Sequence, residues 1–418
     1  MILMKTNNRS NFYFALLVFV AGLLRLYLAP HTCHLYDAKA WSDTAYRIMV
    51  RGHVFDFYHC SDYEYPPLWS WFIALAYILY PTLDYKNEIF LILIKFPMIL
   101  SDLVIGFLIY LLVGQRVDKT KGLLASIMWL FNPYIIYIGS MWGMNDSLCV
   151  VFIVASLYLL TREKLLLSSI MLGLAISTKQ YAVLVVPFLA LTVAKKYDTK
   201  KGLAFLLIPF AVLALISIPY LIYDREAYID RNLYGIYKQQ TEIRRKCGTF
   251  WYCLNSLFSD DLNFQVFFVS LQYPIFFGIY AISLAIFNIL THQITEPNKV
   301  LTNATLISTL VFLIFSPVVH AQYYVLFIPF TIIAIFYKRF KLVWYAVTVL
   351  PFYSFFSTGV WVDKTEIILC QLIDWLNSAF SALAYGSLRP FKLALFFALF
   401  ALLISSYLEL RKTRTSLF

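Results

Sequence analysis

The amino-acid sequence predicts an all-α polytopic membrane protein, and three observations carry that prediction. Of 418 residues, 61% are apolar and only 14% are charged, against roughly 25% charged in an ordinary soluble domain. Mean hydropathy is +0.73. Apolar runs recur from one end of the chain to the other, so a signal peptide followed by a soluble body does not fit. The first run, residues 12–28, has no small-residue cleavage site after it and reads as a retained span. The formal net charge of +11 does not point to nucleic acid, because no basic run carries the aromatic platforms such binding uses. Basic residues of polytopic chains instead collect in cytoplasmic loops.

A span requires about 20 apolar residues. The runs at 12–29, 89–113, 122–139, 144–161, 165–178, 181–195, 202–223, 264–290, 300–318, 322–337, 342–359 and 390–409 therefore predict a bundle of about twelve transmembrane helices. The stretch 66–82 is also apolar but short, and it opens with Pro66-Pro67. Charge decides how to read it. If 66–82 does not cross, one side of the membrane receives Lys5, Arg9, Arg116, Lys119, Lys121, Arg162, Lys164, Lys195, Lys196, Lys200, Lys201, Lys338, Arg339, Lys341, Arg411, Lys412 and Arg414. The excess of Lys and Arg on cytoplasmic loops then places both termini in the cytoplasm.

Residues 1–418 thus read as a single membrane domain, with three large outer segments at 30–88, 224–263 and 360–389. Cys33, Cys60, Cys247, Cys253 and Cys370 fall in those segments, and only Cys149 falls in a span. An outer compartment permits disulfides. Cys33–Cys60 and Cys247–Cys253 are the pairings considered, and spacing alone does not fix connectivity.

Polar residues within or at the lip of a membrane domain are functional candidates. In the first outer loop, Asp37, Trp41 and Thr44 recur at helical spacing, as do Ala40, Asp43 and Arg47, which predicts an amphipathic surface helix. Asp37 reads either as a helix cap or as a carboxylate able to take a proton from a sugar hydroxyl. Tyr65 lies in Tyr63-Glu64-Tyr65-Pro66-Pro67, where the two prolines can open a helix. Lys95 and Asp102 are seven residues apart in one span and so share a face; each is expected to reach another span or a headgroup. Asn145 and Asp146 stand in a short apolar turn, as helix caps or as ligands of substrate. Lys179 and Gln180 follow in an outer turn, where a cation suits a lipid phosphate or simply snorkels. His320 and Gln322 occupy a late outer turn. Singly these signals are weak. Together they surround one outer-face cavity.

The order of these motifs resembles the GT-C superfamily of polyprenyl-phosphate-sugar glycosyltransferases. That order is an acidic loop after the first span, Tyr65-Pro66-Pro67-Leu68, Lys95 seven residues before Asp102, Gly143 with Asp146-Ser147, Lys179-Gln180-Tyr181, and Gln322-Tyr323. The similarity runs over roughly residues 10–340. It comes closest to the dolichyl-phosphate-glucose glucosyltransferases of asparagine-linked glycan assembly and to the catalytic subunit of the first GPI mannosyltransferase. The resemblance implies a GT-C-like bundle whose outer loops carry short amphipathic helices. It also implies a hexosyltransferase that moves mannose or glucose, with inversion, from a polyprenyl-phosphate donor to a lipid-linked glycan or protein acceptor.

By the same resemblance Asp37 is the general base and Asp43 a second catalytic acid. Tyr65, Lys95, Asp102, Asn145, Asp146, Lys179, Gln180, His320 and Gln322 are expected at the substrate. In the GPI-type branch an Asp-x-Asp motif ends at the base. Leu35 stands in its first position here, so a divalent metal is not implied with certainty and no metal ligand is assigned. His31, His34, His53 and His59 with Cys33 and Cys60 could bind zinc, although a bridged, solvated loop is the preferred reading. The expected partners are the sugar donor, the acceptor, the bilayer and an accessory membrane subunit. The membrane would be the endoplasmic reticulum of a eukaryote or the plasma membrane of a prokaryote. The rival class is a transporter or lipid flippase, and a third is a partner subunit that transfers nothing. Polar residues gathered at one face, without a repeat between halves, favour the enzyme over a transporter.

Overall fold

The computed structural model describes residues 2–61, 63–234, 250–251, 262–291, 297–337, 340–354, 360–363, 368, 371–372 and 389–415. The chain runs α1 Ile2–His31, β1 Thr32–His34, α2 Leu35–Met49, α3 Leu68–Leu79, α4 Glu88–Gly114, α5 Lys119–Leu130, α6 Pro133–Ile136, α7 Asp146–Thr161, α8 Leu165–Thr178, α9 Val185–Lys196, α10 Thr199–Tyr223 and α11 Arg225–Ile229. It continues α12 Leu262–Leu290, α13 Pro297–Phe315, α14 Ile328–Phe336, α15 Trp344–Val349, β2 Val360–Val362 and α16 Arg389–Thr415. Strands β1 and β2 pair antiparallel, Cys33 opposite Trp361, a small exception to an otherwise all-α chain.

The expected count of about twelve transmembrane helices is corrected. Among the described residues five helices are long and apolar enough to cross: Ser10–His31, Glu88–Gly114, Thr199–Tyr223, Leu271–Leu290 and Lys392–Arg411. A sixth follows if Lys119–Leu130 and Pro133–Trp142, bent by 48°, count as one. The other apolar runs are shorter helices of 10–17 residues, among them α7, α8 and the runs Val300–Phe315 and Ala321–Phe336. Apolar runs of such length are more often core or interfacial helices than spans. In α7 eleven of sixteen residues are buried by protein, on every side of the helix. Hydropathy alone could not separate that state from exposure to lipid, since both demand apolar side chains. Helix α3, at 12 residues, is also too short to cross.

Local chemistry sets the boundaries. Asn87 caps α4 by accepting from the Ile89 and Phe90 amides. Asp118 and Asp198 cap α5 and α10 through the amides of Lys121 and Lys201, as short acidic side chains do at an orphan helix start. Asn132 caps α6, with Pro133 at its first helical position, where a missing N–H does no harm. Residues Tyr137–Trp142 then widen into a π-helical turn, which stops at Gly143 with φ +89°. A side chain there would face left-handed backbone and the Lys95 stem 3.0 Å away.

Helix α2 is amphipathic as its spacing predicts. Ala38, Trp41, Ser42, Thr44, Ala45 and Ile48 are buried, and Trp41 meets Trp69 of α3 edge-on at 5.7 Å. The basic turns gather at the opposite end of the bundle from α2. Arg116 after α4 and Arg162 after α7 line one cleft, and Lys196 at the end of α9 pairs with Glu163 at 2.9 Å. Cys33 and Cys60 are both free thiols, so that expected disulfide is corrected: Cys33 is locked in the β ladder, and the Cys60 thiol points to the Phe57 carbonyl. Cys247, Cys253 and Cys370 lie outside the described residues.

Candidate active site

Lys95 fixes the frame of the site. Its ammonium is fully buried and donates to the carbonyls of Ala29 at 2.8 Å, Met141 at 3.1 Å and Thr32. Those carbonyls belong to the end of α1, to β1 and to the π-helical turn. One cation therefore ties the backbone leading into Asp37 to the backbone leading into Trp142. All three donors of an ammonium are used.

Asp37 lies in the first turn of α2, where the helix dipole favours a carboxylate. Its side chain is 18% exposed. The Trp142 indole donates to Oδ2 at 2.7 Å, and Nδ1 of His34 lies 2.7 Å from the same oxygen. The imidazole and indole rings also face one another, centroids 4.9 Å apart. Both contacts fall on Oδ2, and Oδ1 has no partner among the described residues. His34, not Asp37, is the cap residue of α2, and no side chain closes that cap, which sets aside the capping role for Asp37. Asp43, six residues on, is exposed. It stands about 120° around the helix axis from Asp37, so the two acids are not brought together.

A second carboxylate is in the opposite state. Asp146, the first residue of α7, is fully buried. Its Oδ2 accepts from Lys179 at 2.9 Å and its Oδ1 from the Tyr181 hydroxyl at 2.7 Å. The Lys179 ammonium also sits over the rings of Tyr65 at 4.9 Å, Tyr323 at 5.3 Å and Tyr181 at 5.9 Å. Cation–π attraction of this kind strengthens where water is excluded. Tyr65 stands between the two acids. Burial, then the Asp37 charge, then Tyr323 and Asp146 push its phenol well above the ordinary value, so it remains a neutral O–H. Gln180 donates to the Glu64 carbonyl at 2.9 Å and to Asn232 at 3.3 Å, stitching this turn to the segment before α3.

Asp102 reaches another span. Its Oδ2 accepts from Arg25 Nε of α1 at 3.1 Å, with both side chains fully buried. A Cβ at Gly139 would lie 2.7 Å from that oxygen, so the close approach requires glycine. Among the described residues Asn145 is buried with neither amide atom partnered and no capping bond. Gln322 is buried, and His320 stacks edge-on against Tyr323 at 5.2 Å, whose ring joins the Lys179 cage. Lys95, Asp37, Trp142, Tyr65, Asp146, Lys179 and Tyr323 thus share one end of the bundle.

Sequence reasoning missed Arg25 and the donor role of Trp142, and it named His34, Tyr181 and Tyr323 without the contacts they make here. Arg25 had a signal: a charge inside a span is costly and needs a partner. Among the described residues no second carboxylate stands beside Asp37 to complete a metal set. Among the described residues the one group of three ligand types within reach of a shared ion is His31, Glu88 and Asp363, so the wider His and Cys set is not gathered.

The family described as GPI transamidase subunit PIG-U matches residues 32–362. GPI mannosyltransferase 1 of Candida albicans is 26% identical over 288 residues, covering 65% of this chain and 67% of that protein. The protein of the same name from Saccharomyces cerevisiae is 29% identical over 129 residues, covering 30% of this chain and 29% of that one. The crystal structure of ArnT from Cupriavidus metallidurans bound to undecaprenyl phosphate covers 96% of this chain and 75% of its own, with TM-score 0.53 and 12% identity. At that identity the likeness is one of fold: the chain shares the fold of that structure.

Proposed function

This chain belongs to the GPI transamidase subunit PIG-U family, and from that premise we propose that its Asp37 site is the reaction centre of a GT-C-type membrane glycosyltransferase. The donor is a polyprenyl-phosphate hexose, mannose or glucose. The acceptor is a lipid-linked glycan or a protein, met at the outer face, and the anomeric centre inverts. The observation that carries this reading is the state of Asp37, a partly open carboxylate oriented by the Trp142 indole on one oxygen. The name shared by the Candida and Saccharomyces relatives and the lipid phosphate in the ArnT crystal support the same class.

The acceptor hydroxyl gives its proton to Asp37 Oδ1 as its oxygen attacks the anomeric carbon, and the lipid phosphate departs on the opposite face. Phosphate is a good anionic leaving group, so nearby positive charge suffices to stabilise it. Lys179 supplies that charge only if substrate draws it from Asp146. The base rests on the outer side with the basic turns cytoplasmic, and both termini are cytoplasmic when the bent pair is counted as a sixth span.

The family description favours a second reading. The chain would serve as a subunit of a transamidase, holding a glycolipid at this site without transferring sugar. The buried Lys179–Asp146 pair suits it, since a neutralised cation binds no leaving phosphate. The deciding experiment is sugar transfer by purified protein in proteoliposomes, given short-chain polyprenyl-phosphate mannose or glucose and an acceptor-lipid extract. Transfer by wild type that Asp37→Asn abolishes establishes the enzyme. Silence from well-folded wild type with every donor moves the assignment to the subunit.

A further inference from the structure

We propose a divalent metal site formed by His31, Glu88 and Asp363, separate from the Asp37 carboxylate. One ligand atom from each of these side chains lies within 4.8 Å of both others. Atoms bound to one ion at about 2.0–2.2 Å fall within such a spread. The three residues are remote in sequence, and the fold converges them by independent devices. His31 ends α1. Glu88 opens α4, set there by the Asn87 cap. Asp363 follows β2, and its amide donates to the His31 carbonyl at 2.7 Å, extending the ladder in which Thr32 pairs with Val362.

An imidazole with two carboxylates suits a first-row divalent ion such as zinc or manganese, with water completing the shell. Two carboxylates this close repel one another, and a divalent cation relieves that repulsion. Lys86, two residues before Glu88, lies over the Trp361 ring at 5.3 Å. The ion would clamp the β1–β2 pair against α4. That pair carries His34 directly into α2, and so sets where Asp37 stands.

The test uses the full chain in nanodiscs, stripped with a chelator and then offered zinc or manganese. Bound metal is measured by elemental analysis, and melting temperature by intrinsic fluorescence. The expected result is about one equivalent of bound ion, with a raised Tm. Glu88→Gln should lose both the ion and the Tm rise, while its chelated form melts as wild type does. Glu88 is exposed, so this variant tests the site without threatening the fold; Asp363→Asn should act the same way. Sub-stoichiometric binding of both metals, or binding that survives both substitutions, would overturn the proposal. Neither readout depends on sugar transfer.

Discussion

Asp37 and Asp146 are the same side chain at the start of two helices, and the protein treats them oppositely. Asp146 is sealed, with each oxygen bonded and an ammonium against it inside a cage of tyrosines. Asp37 keeps an exposed edge, and its described contacts use one oxygen. A buried carboxylate with a matched cation is held in place and unavailable as a base. A partly open one, oriented through one of its two oxygens, can exchange a proton. The comparison teaches that proximity to the cavity does not make a charged residue chemical; the state of its lone pairs does.

The largest expected effect breaks the comparison at its open end. Asp37→Asn keeps size and shape but removes the base, and a positioned base contributes about 10²–10⁴-fold. Turnover should fall by that factor with Tm unchanged. Near-normal turnover would remove Asp37 from the chemistry.

The closed end should answer differently. Lys179→Met leaves Asp146 buried without its cation, which costs about 3–5 kcal/mol where one partner of a buried pair is removed. Tm should drop sharply, and adding Asp146→Asn should restore much of it. If Lys179→Met abolished transfer at unchanged Tm, the lysine would be contacting donor phosphate and the contrast drawn here would fail.

A third substitution probes the other buried pair. Gly139→Ala drives a methyl to within 2.7 Å of Asp102 Oδ2, where Arg25 is bound. Overpacking of this kind costs about 1–3 kcal/mol. Thermal melting should show that loss, and a Tm equal to wild type would mean the turn yields without disturbing the ion pair.

Much of this contrast was beyond sequence. Periodicity exposed α2 as an amphipathic helix, because Asp37, Trp41 and Thr44 repeat at helical spacing, and Trp41 and Thr44 are buried. The positions of the apolar runs were legible for the same reason. Their status as spans was not, since α7 is as apolar as a span yet wrapped by protein. The pairing of Asp102 with Arg25 joins residues 77 apart, and no local rule selects that partner over Lys95 in the same helix. Lys179 read as a cation free for phosphate, because nothing local announces that Asp146 folds against it. Asp43 read as a partner of Asp37 by motif order, while the helical rotation separates them.

The smallest expected effect sharpens the open end. The Trp142 indole donates to Asp37 beside the His34 imidazole, and Lys95 holds the turn that presents it through the Met141 carbonyl. Trp142→Phe keeps an aromatic ring against His34 and removes only the N–H. A hydrogen bond to a charged acceptor is worth about 1.5–3 kcal/mol, so turnover should fall about tenfold, near the lower end of that range, with Tm unchanged. Unchanged turnover would mean that Trp142 shapes the cavity and does not aim the carboxylate.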